Sequence, residues 1–313
     1  MAVPFLPRRA TLFAWLGFFL ALFCARAEQV TLFPSADATL IELKPTNSLG
    51  GANWIAAGTT QNFNSNRALI KFDVAAAVPA GAIITDIGVN LWVTRSPVDG
   101  NADSLFSLRR VLRAWNEGTA LPAEPGSPGL GAPAAFGDAT WTHAAWGTDA
   151  WTIPGGLEGV DYSGAFSASA FIAGVRAEPY FFESGGMIAD VQLWLDHPEQ
   201  NFGWMLKTEE EQSNFTARRF GSRELEDPFE SPQLTITYLP PLLITDARAV
   251  SNRLSLTFDT SFGYSYRVES LAAMAGSNAW STLTNFGLVL SPGPRTATDT
   301  LTNAQRFYRV RRN

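Results

Sequence analysis

Residues 67–73 read RALIKFD, and their alternation decides what class of protein this is. Ala68, Ile70 and Phe72 fall on one side of an extended chain, Leu69 and Lys71 on the other. That period of two is what a strand resting one face on a core requires. Similar β-branched or aromatic runs, bounded by turn residues, recur at AIITDIGVNLWV (82–93), SLFSLRRVL (104–112), FGWMLKT (202–208) and PQLTITY (232–238). Helical spacing is found in ADVQLWLDHP (189–198), where Val191, Trp194 and Leu195 fall at i, i+3 and i+4. There Asp190 is placed to cap and Pro198 to stop the helix. Many short strands, glycine-rich turns and one short helix predict an all-β protein, a jelly-roll β-sandwich.

Outward from that module, LPPLL (239–243) interrupts the strand pattern with two prolines and marks a boundary. The expected division is a signal peptide over 1–27, a jelly-roll domain over 28–240 and a small Ig-like β domain over 241–313. In the last, RLSLTFD, YSYRVES, AWSTLTN and RFYRVRR read as strands, with Phe258, Tyr266, Trp280 and Phe307 to bury. At the N-terminus, Arg8 and Arg9 precede the apolar run TLFAWLGFFLALFC, which ends in Ala25-Arg26-Ala27. Basic flank, short apolar run and small-x-small ending predict secretion with cleavage after Ala27, and the run is short for a membrane span. Phe23 sits where a lipoprotein signal wants a small residue before Cys24. Past the cut no cysteine remains, so disulfides and thiolate chemistry are excluded there.

Charge narrows the partners. Residues 28–240 carry 12 Lys/Arg against 25 Asp/Glu, a net of −13, whereas residues 241–313 carry 8 Arg against 4 acids, a net of +4. The acidic main module argues against nucleic acid, whose phosphates need a positive surface. The basic tail spreads its arginines along apparent strands, which reads as solvated strand faces. The sequence contains no HExxH, GxSxG, Walker loop or dinucleotide fingerprint. His143 and His197 lie 54 residues apart, and His197 suits a helix C-terminus better than a base. A glycosidase needs only two acids at a set separation, but nothing singles out a pair, so the chain is read as non-enzymatic.

Between the strands, GTALPAEPGSPGLGAPAAFG (118–137) forms a long Gly/Pro-rich loop. After it comes GDATWTHAAWGTDAWTIPGG (137–156), with Trp141, Trp146 and Trp151 at intervals of five. Indoles so placed either offer a face on which sugar rings stack or plug an ordered loop against the core. Trp141 and Trp151 read as plugs. Trp146, among Ala, Gly and Thr, reads as the indole facing solvent, and Trp115 flanks the same loop at a strand end where it also suits a core. The expected carbohydrate-binding set is Trp146 and Trp115, with Asp138 and Arg110 beside them. Arginine concentrates at Arg109, Arg110 and Arg113 and at Arg218, Arg219 and Arg223. An acidic polysaccharide would need a local patch of these, and a neutral glycan is electrostatically easier. Asp37 and Glu224 are candidate ligands of a structural calcium ion, if their strands share a sheet; an Asp37–Arg223 ion pair is the alternative. The run Glu209–Glu211 reads as a solvated hairpin tip.

The first module also resembles a known family. PSADATL (34–40), NSLGG (47–51), RALIKFDV (67–74), PAGAIITD (79–86), AWNEG (114–118), GDATW (137–141) and WTIPGG (151–156) match it in order. So do DVQLWLDHPEQNFGWML (190–206), RRFGSRE (218–224) and PQLTITY (232–238). This series is similar to the DNRLRE-type secreted β domain, also classed as carbohydrate-binding module family 96, and covers nearly all of 30–238. The tail, with YRVES (266–270) and RFYRVR (306–311), is similar to small β domains ending secreted Verrucomicrobia-type proteins. The resemblance implies a bacterial, extracellular, non-catalytic jelly roll whose founding members accompany alginate-degrading enzymes. The expected partner is therefore a polysaccharide or cell-surface glycan. An adhesive envelope or matrix protein without glycan specificity is the alternative, followed by a polysaccharide hydrolase or lyase.

Overall fold

The computed structural model describes residues 27–98, 102–122, 129–272, 280–301 and 305–313. The expected signal segment lies outside the described residues except for Ala27, as do residues 123–128 of the long loop. Two compact units are present, one spanning Arg26–Leu242 and one containing Leu243–Asn313. Among the described residues no helix is long and apolar enough to cross a membrane.

Eight strands frame the first unit: β1 (Glu28–Leu32), β2 (Ser65–Lys71), β3 (Ile83–Leu91), β4 (Ser104–Arg110), β5 (Ala168–Ile172), β6 (Tyr180–Phe182), β7 (Trp204–Thr208) and β8 (Gln233–Leu239). One antiparallel sheet runs β1-β8-β3-β6 and the other contains β5-β4-β7-β2. The first strand pairs with the last and the chain repeatedly crosses between sheets, which is the connectivity of a jelly roll. The alternation of β2 does what it predicts. Ala68, Ile70 and Phe72 point into a core shared with Ile87 and Val89 of β3, Phe106 of β4, Leu206 of β7 and Ile236 of β8.

Both faces of β2 are buried. Leu69 joins a second apolar cluster with Leu40, Met205, Trp115, Trp141, Trp151 and Tyr162, so the loops after β4 form a layer over the outside of this sheet. Arg67 fastens that layer. Its guanidinium donates to the carbonyl of Gly155 at 2.7 Å, pairs with Glu211 at 2.8 Å and lies 5.3 Å from the Trp141 ring. Gly155 has φ +86°, and a Cβ there would stand 2.8 Å from the Trp141 ring, so both backbone and packing require glycine.

The helix runs Gly185–Asp196 and buries Met187, Val191, Trp194 and Leu195, with Trp194 4.5 Å from the Trp204 ring. Its cap is Ser184, whose hydroxyl accepts from the Met187 N–H at 3.1 Å, and not Asp190 as the sequence pattern suggested. Asp190 sits mid-helix, taking the Trp204 indole N–H at 2.9 Å and pairing with Arg110 at 3.0 Å. A second, single-turn helix, Val74–Ala77, is capped by Asp73. Nor is Glu209–Glu211 a solvated tip: Glu209 pairs with buried Arg109 at 2.6 Å and Glu211 with Arg67.

In Leu243–Asn313, strands Ile244–Val250, Arg253–Thr260 and Gly293–Thr300 form one sheet, and Ser281–Leu288, Ser265–Leu271 and Phe307–Arg312 another. Phe258 of the first sheet meets Tyr266 and Phe286 of the second at 5.8 and 5.5 Å, closing a sandwich with six strands among the described residues. An immunoglobulin constant domain has about seven strands. Phe258 and Tyr266 are buried as expected, whereas Trp280 is half-buried with the Arg309 guanidinium 4.2 Å from its ring.

Candidate functional site

Beyond β2 the second sheet continues through three short strands, Trp54–Thr59, Arg218–Gly221 and Val93–Arg95. Alternation sorts the side chains of the first two, and an irregularity in the pairing of the third lets Val93 and Arg95 take opposite faces. Ile55, Ala57, Phe220 and Val93 enter the core. Trp54, Ala56, Arg219 and Arg95 face the opposite way and line an open groove of about 330 Å³. Register explains the row: Ala56 is the cross-strand partner of Arg219, and Arg219 in turn is the partner of Arg95. Ala56 leaves room, and the Arg219 guanidinium settles 3.8 Å from the centre of the Trp54 ring.

The groove presents two arginines in an acidic module. Among the described residues neither Arg95 nor Arg219 makes an ion pair. Burial, and then the like charge of Arg95, push the Arg219 guanidinium below its ordinary value. Beneath them Arg218 is 1% exposed and, among the described residues, hydrogen-bonded to the carbonyls of Ala173 at 2.7 Å, Ala102 at 2.6 Å, and Phe215 and Ala217 at 3.1 Å. Burial lowers its value too. Like charges directly opposite on neighbouring strands are destabilising, so this arrangement suits an anion with planar oxygens that two guanidinium forks can grip. Asn66 and Gln61 add amide groups at the same rim.

The carbohydrate-binding set expected from the sequence falls elsewhere. Trp115 is buried in the loop layer, and its indole N–H donates to the Phe202 carbonyl at 2.7 Å, which leaves no face for a sugar. Asp138 is also buried; its carboxylate accepts from the Ala135 N–H at 3.0 Å and holds a turn. Arg110 is committed to Asp190. Trp146 is half-buried, edge-on to His143 at 4.7 Å, and linked to Asp138 through a 2.8 Å backbone bond. Trp115, Asp138 and Trp146 thus belong to one loop layer, and Arg110 to the helix contact. Trp141 and Trp151 are buried plugs, the latter donating to the Thr140 carbonyl at 2.9 Å.

The two carboxylates singled out as calcium ligands do meet. Asp37 and Glu224 converge with Glu117, each offering an oxygen within 4.8 Å of the others. Arg223 bridges rather than pairing with Asp37 by its side chain: its Nε reaches Glu117 at 2.7 Å and Glu224 at 2.8 Å, while its backbone N–H donates to Asp37 at 2.8 Å. Sequence reasoning missed Glu117, which lies in a loop. It also missed Trp54 and Arg95, because only strand register brings them to Arg219. The pairing of RR (218–219) with a Trp and an Arg in flanking runs was the available signal.

No protein-family model matches the chain, and no curated protein matches it.

Proposed function

We propose that this chain is an exported, non-catalytic protein that binds carboxylate-bearing polysaccharide in the groove of Trp54, Arg95 and Arg219. The observation that carries this reading is the cross-strand juxtaposition of two arginines without an acidic partner among the described residues. A guanidinium stacked on indole is held in place before the ligand arrives, so little side-chain freedom is lost on binding. An open groove between strands accepts a polymer running through it, where an enclosed pocket would take only a chain end. The resemblance of residues 30–238 to the DNRLRE-type domain, and the leader-like N-terminus, point the same way.

Affinity electrophoresis of the full chain through gels containing a polyuronate, a sulfated glycan or a neutral glucan tests the reading. The polyuronate retards the protein, the retardation weakens as salt rises, and Arg219→Ala abolishes it. Equal retardation by the neutral glucan, or none by any polymer, sinks the proposal.

A further inference from the structure

The acidic cluster holds one feature that its arginine does not account for. Asp37 is 1% exposed, and its Oδ1 is a buried oxygen with no hydrogen-bond partner among the described residues. Its other oxygen is satisfied by the Arg223 N–H at 2.8 Å. A bare carboxylate oxygen inside a protein is costly unless something positive faces it. Arg223 supplies one positive charge, and its guanidinium is engaged with Glu117 and Glu224. When all three acids are ionised, the cluster therefore carries an excess of two negative charges.

We propose that Asp37, Glu117 and Glu224 bind a divalent cation, and that the ion is calcium. The donors are all hard carboxylate oxygens, without imidazole or thiolate, which selects calcium or magnesium over transition metals. Glu117 and Glu224 border solvent, with 14% and 23% of their side chains exposed, so water can complete the shell of about six to eight oxygens that calcium takes. Magnesium demands near-ideal octahedral geometry, which side chains from three separate segments supply less readily. Arg223, 41% exposed, is free to turn outward when the ion enters.

The ion's role is structural. Asp37 lies on the strand Ala36–Ile41, Glu117 in the loop after Trp115, and Glu224 just past the strand Arg218–Gly221. One cation joins three segments distant in the chain and closes the base of the loop layer. The Arg95–Arg219 groove is a different place, and neither proposal rests on the other.

Metal-stripped full chain, titrated with calcium chloride by calorimetry and melted with and without millimolar calcium, tests the site. Saturable heat and a raised melting temperature, reversed by chelator, are expected. Asp37→Asn and Glu117→Gln each weaken calcium binding at least tenfold, and the second serves if the first does not fold. Arg223→Gln removes the competing cation and tightens calcium binding. Absence of calcium-dependent heat and stabilisation in the stripped protein, or binding unchanged in the carboxylate variants, overturns the proposal.

Discussion

Arg95 and Arg219 are directly paired across antiparallel strands, and neither has an acidic neighbour within ion-pair reach among the described residues. Folding places them there against their mutual repulsion: Phe220 enters the core and alternation sends Arg219 outward, while the irregularity in pairing between Arg219–Arg95 and Phe220–Val93 lets Arg95 face outward although Val93, two residues before it, enters the core.

Removing one of the two charges separates stability from binding. Arg95→Ser relieves the repulsion at an exposed position, so the melting temperature stays level or rises slightly. Affinity for a polyuronate falls by at least about tenfold, since a hydrogen bond to a charged group is worth about 1.5–3 kcal/mol. Calorimetric melting beside a binding titration checks both. A destabilised variant with undiminished binding contradicts the assignment.

The tryptophans of the loop layer divide by burial. Trp151→Ala opens a cavity and strands the Thr140 carbonyl, at a cost of about 3–5 kcal/mol. Trp146→Ala removes a half-buried ring and costs about 1 kcal/mol. Urea unfolding of the two variants is the measurement, and similar losses for both would count against the plug reading.

Gly203 tests backbone strain. Its φ is +73°, and a Cβ there would lie 2.2 Å from the Ile70 carbonyl oxygen. Gly203→Ala combines a left-handed penalty of about 1–2 kcal/mol with a clash against strand backbone, so the loss exceeds about 2 kcal/mol. Chemical denaturation would show it as a lowered midpoint with little change in slope.

Acid weakens the protein through two carboxylates. Burial pushes the Asp161 carboxyl up, but the Leu157 N–H, Arg113 and Thr152 outweigh it and hold the group below its ordinary value. Glu209 is likewise raised by burial and lowered further by Arg109, Ser107 and Lys207. Such groups bind fewer protons folded than unfolded, so their stabilisation is complete above the ordinary carboxylate value of about 4 and is lost as pH falls through the folded values. Asp190, pushed up by burial despite Ser167, Trp204 and Arg110, works in the opposite sense, favouring the fold as its own range is entered from above. Melting curves across the acid range should fall steeply below about pH 4. In Asp161→Asn the fall is shallower and the stability at neutral pH lower.

How much of this the sequence carried depends on whether the signal was local. The period of two in RALIKFD is local and placed Ala68, Ile70 and Phe72 correctly in the core. The helix start was misplaced because Gly185 and Gly186 are poor helix formers, yet Gly186 is needed where a Cβ would meet the Ser167 carbonyl at 2.8 Å. Tertiary approach, invisible in a propensity, overrode the pattern. Asp37 and Glu224 were within reach of strand reasoning because both flank strands. Glu117 was not, since loops have no period. The groove was hidden for a stricter reason: Ala56, Arg219 and Arg95 align only once three strands adopt one register, and a shift of one residue would turn both arginines inward.

The pairing of β1 with β8, Glu28 opposite Tyr238 through Leu32 opposite Leu234, also sets an order of events. The first strand of the unit has no sheet to join until the strand that closes the unit exists. Because β8 also pairs with β3, a polypeptide cut short before Gln233 leaves two strand edges bare at once. Folding of this unit therefore waits on the last stretch of its own synthesis, and an incomplete chain is exposed to aggregation throughout that interval.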